Sequence, residues 1–145
     1  MNEKLELYKH IYQDAEMSCY TLKKLQKDLK DKDNKIKGIL EDIYKEYEVY
    51  KKKSKNFIKK NKGSIEKNSL MSKMMANMGI KKEVISDNSD SSMADLLIQG
   101  VSMGSINMEK KISDYKDALN DEDLAFANEF LSFQQFTIDK LKKYL

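Results

Sequence analysis

The acidic side chains and the single histidine are the residues that could bind a metal ion inside a bundle of helices. A di-iron site in such a bundle takes a Glu from each of two helices and a Glu-x-x-His motif from each of the other two. The chain has one histidine, His10, and contains no Glu-x-x-His sequence. On the helical register His10 falls opposite the apolar seam, and the acids also fall outside it. We therefore expect no metal site and no cofactor; if a metal is bound, the first residues to check are Glu16, Glu46 and Glu129.

Cys19 is the only cysteine. A catalytic thiol needs a base or an electropositive environment, but His10 lies on another helical face. Cys19 falls between Ala15 and Leu22 on the apolar side of a predicted helix, so we interpret it as a small buried hydrophobe. We expect no catalytic residue. One cysteine cannot form an intramolecular disulfide, which is typical of a reducing compartment.

Methionines and phenylalanines form two stripes at helical spacing. The methionines are Met71, Met74, Met75 and Met78, and the phenylalanines are Phe126, Phe130 and Phe133. Thioethers can bind Cu(I), they can form an adaptable surface for a partner or a second copy, or they can pack in the core against the phenylalanines. We favour core packing, with partner binding or self-association second. Both stripes together are the candidate interaction surface.

Apolar residues recur at spacings of three and four along most of the chain, which predicts amphipathic helices. Their predicted bounds are 3–30, 33–61, 67–78, 91–117 and 121–145. The helix over 67–78 is short, and we expect Gly79 to end it. The chain has no proline, which also favours an all-α fold. At 145 residues it fits a single helical-bundle domain spanning 1–145.

Polar and small residues interrupt the predicted seams. The tyrosines of the first two helices could meet across an antiparallel pair, where they would either line a polar pocket or point their tips to the bundle ends. Gln134 is another polar seam residue. Gly100 and Gly104 each cost about 0.5–1 kcal/mol relative to alanine inside a helix. We expect a close approach of another backbone or an aromatic ring to offset this.

The charge pattern argues against nucleic-acid binding and membrane insertion. All 27 basic residues are lysine, and the net charge is only +3. Base and phosphate recognition usually relies on arginine, whose planar fork lysine lacks. No apolar run approaches the ~20 residues that a transmembrane helix needs, and the first residues, MNEKLELYKH, do not resemble a signal peptide. We expect a cytoplasmic protein.

The connections predict the topology. A tight turn, a long middle connection and a second tight turn favour a bundle with one crossover, and an ordinary up-down bundle is the alternative. In LYKHIYQDAEMSCYTLKKL, MSKMMANMGIK and SSMADLLIQGVSMGSINMEKKISDYKDA, the chain resembles small uncharacterised ferritin-like proteins of low-GC Gram-positive bacteria. The resemblance spans most of the chain. It implies a ferritin-like four-helix bundle whose long crossover contains the short methionine-rich helix, and it implies no particular activity.

These patterns favour a non-enzymatic helical bundle that acts through a protein-interaction or self-association surface, with a homodimer or another protein as partner. The alternative is a ferritin-like metal-binding or redox protein with a degenerate site. The exposure of the methionines distinguishes a core role from an interaction role.

Overall fold

The computed structural model describes residues 2–145, and within them the regular structure is entirely helical. Residues 2–145 form five α-helices and one 3₁₀ helix. They are α1 (Glu3–Asp28), α2 (Lys37–Lys60), α3 (Leu70–Ser86), α4 (Asp90–Tyr115), the 3₁₀ helix (Lys116–Ala118) and α5 (Asp121–Lys142). The all-α prediction is confirmed.

Side-chain caps begin most of these helices. Asn2, Ser69, Ser89 and Asn120 each accept a hydrogen bond from a backbone N–H in the first turn, which satisfies a donor that has no partner within the helix. Helix α2 has no such cap of its own. Instead, the carboxylate of Asp90 accepts hydrogen bonds from the N–H groups before α2, at 3.1 Å from Lys35 and 3.3 Å from Ile36. One acid at the start of α4 therefore stabilises the start of α2 as well.

Contacts at the two ends give the helix directions. Near the end of α2, Phe57 stacks on Tyr8 of early α1 with ring centroids 3.5 Å apart, so α1 and α2 are antiparallel. Before α2, Asn34 donates a hydrogen bond to the carbonyl oxygen of Asn88, which precedes α4. At the opposite end, the Tyr8 hydroxyl donates to Asp123 at the start of α5, at 2.9 Å. Helices α1 and α5 thus run one way, and α2 and α4 run the other way.

Helix α3 differs from the prediction in length and in its end. It runs to Ser86, although the predicted helix stopped before Gly79. Gly79 does not adopt a positive φ, so it continues the helix. The physical reason is packing beyond the glycine, because Ile80 is buried and Val84 lies against the core. Helix α3 returns the chain along the outside of the bundle, from the end of α2 to the start of α4.

The core joins α1, α2, α4 and α5. Its aromatic part is formed by Phe126, Phe130 and Phe133 of α5, which pack against Tyr8, Tyr47 and Tyr50 of α1 and α2. The tyrosine side chains of α2 are long enough for their rings to contact the phenylalanines of α5. This contact explains the phenylalanine stripe of α5 without help from the methionines.

Candidate functional site

The methionines of α3 lie on the surface. Met71, Met74, Met75 and Met78 are between 62% and 72% exposed, and Leu70 and Ile85 are more exposed still. Only Ile80 of this helix is buried. The favoured interpretation of these methionines as core residues is therefore wrong, because α3 presents its opposite side to α1 and α4.

The phenylalanines do not join the methionines in one surface. Phe130 is fully buried, Phe133 is nearly so, and Phe126 is half-buried against the aromatic core. Their part of the predicted interaction surface is wrong, because α1 and α2 already cover them. The methionine part is exposed.

The acids chosen as first candidates for metal binding lie on different sides of the bundle. Glu46 and Glu129 are exposed and border one shallow surface depression, where Glu129 accepts a hydrogen bond from the Tyr50 hydroxyl. Glu16 was predicted to be exposed, but it is buried and binds Lys73 of α3 at 2.8 Å. Residues 2–145 contain no group of three or more His, Cys, Asp or Glu side chains placed to hold a metal ion.

His10 and Cys19 have environments that disfavour their charged forms. His10 is half-buried, and burial followed by the charge of Lys111 lowers its pKa. Burial raises the pKa of the Cys19 thiol to about 12, so the thiol stays protonated and is a poor nucleophile at neutral pH. The sulfur packs in the core as the sequence predicted.

A polar cluster lies in the middle of the bundle. Gln134 of α5 donates a hydrogen bond from Nε2 to Oδ2 of Asp14 on α1 at 2.7 Å, and Ser18 donates to Oδ1 at 3.3 Å. A Cβ at position 104 would lie 2.8 Å from Gln134 Nε2 and 2.9 Å from Asp14 Oδ2. Gly104 is therefore required by a close approach, although the approaching groups are polar side chains rather than a backbone or an aromatic ring.

A cleft of about 350 Å³ opens beside this cluster. It lies where α1, α3 and α4 meet, and side chains of α2 and α5 reach its floor. Asp14, Ser18 and Tyr47 supply polar groups, and the remaining wall is mostly apolar. Gly79 of α3 and Gly100 of α4 border it, and a Cβ at either position would meet nothing within 4 Å. Apolar clefts with a few convergent polar groups are the usual form of small-molecule sites.

The electrostatics of the cleft centre on Asp14. Burial raises the pKa of its carboxyl to about 6, although hydrogen bonds from Gln134 and Ser18 act in the opposite direction. Burial also raises the pKa of Tyr47, and the Asp14 carboxylate adds to that effect. The Tyr47 hydroxyl and Oε1 of Gln134 have no hydrogen-bond partner among residues 2–145. Three oxygen-bearing groups therefore lie in one polar cluster with acceptor capacity left over.

Gln134 and the tyrosines of the first two helices were predicted to be polar seam residues, but Asp14 was not. A signal was present in the spacing of α1. Ile11, Asp14, Ser18, Leu22 and Leu25 recur at intervals of three and four, so Asp14 shares a stripe with Ile11, Leu22 and Leu25, which are buried. An acid on such a stripe is unusual, since buried carboxylates are rare without a partner.

No known protein family, curated protein or solved structure matches this chain. Across the described residues, no helix is both long and apolar enough to cross a membrane.

Proposed function

We propose that this protein is a non-enzymatic helical bundle that acts through the exposed face of α3. We call this face the methionine surface, and its members are Leu70, Met71, Met74, Met75, Met78 and Ile85. The observation that supports it is their exposure, between 62% and 85% for every member. At about 100° per residue, these positions fall within one face of the helix. An exposed apolar face of this kind typically marks a contact with another protein.

The partner that we propose is a second copy of the chain. Two α3 helices packed antiparallel would bring the methionines of one copy against those of the other, and flexible thioether side chains adapt well to each other. Both ends of the surface carry charges of both signs. Glu66 and Lys67 precede α3, and Lys81, Lys82 and Glu83 follow the methionines, so each end offers both signs to an antiparallel partner. The helix dipoles also oppose each other favourably in this arrangement.

Sedimentation velocity tests this proposal. The wild-type chain should dimerise as its concentration rises to about 100 μM, which exceeds the Kd of a micromolar interface. The double variant Met74→Glu/Met78→Glu should remain monomeric and keep its helical circular dichroism. Met103→Glu is the matched control, because Met103 is a comparably exposed methionine on α4. A wild-type chain that stays monomeric, or a double variant that still dimerises, contradicts self-association through this surface.

We also propose that the architecture is ferritin-like. The support is the order of helix directions, with α2 and α4 parallel and a long connection through α3 between them, which is the pattern of bundles with one crossover.

The buried thiol of Cys19 has no disulfide partner, in keeping with a cytoplasmic location.

The alternative class, a metal-binding or redox protein with a degenerate site, has less support. Its first candidate acids are either exposed, as Glu46 and Glu129 are, or paired with a lysine, as Glu16 is. Elemental analysis of protein purified without chelator separates the two classes. Stoichiometric iron, manganese or copper would contradict the proposal of a bundle that acts only through its surface.

A further inference from the structure

We propose that the cleft between α1, α3 and α4 binds a small amphipathic primary amine, whose ammonium group meets Asp14 while its apolar body lies along the helices. This site is independent of the methionine surface, because the cleft is lined by the inner side of α3 and the methionines are on its outer side.

The charge of Asp14 favours a cationic ligand. No lysine lies within ion-pair distance of this carboxylate among residues 2–145, although 27 lysines are present in the chain. Its two protein partners, Gln134 and Ser18, are neutral donors. An ionised carboxylate removed from water is unfavourable unless a cation accompanies it. A ligand cation would supply the missing charge.

The protonation state of Asp14 agrees with this geometry. Its pKa of about 6 leaves the carboxyl mostly ionised at neutral pH. An anionic ligand, such as a fatty carboxylate, would therefore face a like charge at the floor of the cleft.

The number of hydrogen-bond acceptors in the cleft favours a primary amine. A primary ammonium has three N–H donors, as the lysine side chain has. The cleft offers the Asp14 carboxylate and the hydroxyl oxygens of Ser18 and Tyr47, and the Tyr47 hydroxyl has no hydrogen-bond partner within the described chain. Tyr47 is 1% exposed, so its hydroxyl is held in place by packing. A hydroxyl ligand could use only part of this set.

The apolar wall of the cleft favours a ligand with a small apolar body. Ile80, Leu97 and Val101 come from α3 and α4, and Gly79 and Gly100 leave open space between them. A volume of about 350 Å³ is at the lower end for ligand sites, so the apolar body must be small. An unbranched alkyl chain or a single aromatic ring meets this condition.

The experiment uses n-octylamine as the probe, with n-octanol and octanoate as the neutral and anionic matches. Binding is followed by calorimetry and by ¹H–¹⁵N NMR of the full chain. We expect octylamine to bind with a Kd below about 1 mM and to shift the amide signals of Gly79 and Gly100. Octanol should bind at least about tenfold more weakly, which corresponds to the loss of one charged contact, and octanoate should bind weakest.

Two variants test the charge of Asp14 and the open space of the cleft separately. Asp14→Asn keeps the size of the side chain and should remove the preference for octylamine over octanol. It should also melt at a higher temperature at neutral pH, since an ionised group whose pKa is raised by folding destabilises the native state there. A purely structural Asp14 would give a less stable variant. Gly100→Leu should block the cleft and abolish binding of all three probes, and Gly100→Ala controls for the change in helix propensity.

Several results would overturn the proposal. These are the absence of octylamine binding at millimolar concentration, equal affinity for octylamine and octanol, or an Asp14→Asn variant that keeps the amine preference. Unchanged binding by Gly100→Leu would place the probe elsewhere. Met74→Glu/Met78→Glu should bind octylamine normally, so failure of self-association and failure of amine binding are observed separately.

Discussion

Helices α3 and α4 both carry methionines at helical spacing, but all four methionines of α3 are exposed, whereas two of the three on α4 are buried. Met93 and Met108 of α4 are fully buried, whereas the four methionines of α3 are 62–72% exposed. Helix α4 packs against α1 and α5 and buries six of its residues along its length. Helix α3 lies outside and buries one. Residue type and spacing show which face of a helix is apolar, whereas burial depends on how many other helices surround it.

The two helices are also held by different forces. Apolar contacts dominate for α4, while α3 and the segment before it are attached to α1 largely by polar groups. The Glu16 carboxylate binds Lys73 at 2.8 Å and the backbone N–H of Asn68 at 2.9 Å. The Asn68 side chain donates in turn to the carbonyl oxygen of Gln13 at 2.8 Å. Because α3 buries only Ile80, we expect it to open more easily than the core helices.

The largest effect should come from the buried methionine Met108. Met108→Ala removes a fully buried side chain from the core and should lower the free energy of unfolding by about 2–5 kcal/mol, because the lost burial adds to the energy of the cavity. Urea unfolding followed by circular dichroism measures this change. Met103→Ala on the same helix is the control and should change stability little, since that side chain is 67% exposed. Equal effects at the two positions would mean that α4 is not buried as described.

The sequence was sufficient for the features that follow from local periodicity. The four long helices and the buried position of Cys19 follow from apolar residues repeating at three and four. The length of α3 did not follow, because its second half is stabilised by the contacts of Ile80 with distant helices rather than by local signals. Glu16 was misplaced for the same reason: an acid becomes buried only if another segment brings its own donors, here Lys73 and Asn68.

A substitution at Glu16 should have an intermediate effect on stability. It tests the attachment of α3 separately from the stability of the bundle. Glu16→Ala leaves the Lys73 ammonium and the Asn68 N–H without their acceptor and should cost about 1–3 kcal/mol. Hydrogen exchange should accelerate across α3 and much less in the core helices. The control is Glu41→Ala, because Glu41 forms only an exposed pair with Lys45. Uniform acceleration in all helices would contradict a separate opening of α3.

The contact of Glu16 with Lys73 and Asn68 predicts that the attachment of α3 depends on pH. Burial alone raises the pKa of the Glu16 carboxyl, but the hydrogen bonds from Lys73 and Asn68 outweigh it and the net shift is downward. A lowered pKa stabilises the folded state above the unfolded-state pKa of about 4.3, and this contribution is lost as the pH falls through the folded-state value. Exchange in α3 should therefore accelerate on acidification in the wild-type chain, and Glu16→Ala should remove that response.

The smallest effect is expected at the methionine surface. Met74→Ala/Met78→Ala shortens two side chains that are 62% and 64% exposed, so little apolar area leaves water on folding of one chain. Unfolding at low protein concentration, where the chain is monomeric, should change by less than about 0.5 kcal/mol. At high concentration the wild-type chain should gain stability by dimerising, and this variant should gain less. A loss of several kcal/mol in the dilute monomer would show instead that α3 buries its methionines in the folded chain, which would remove the contrast with α4.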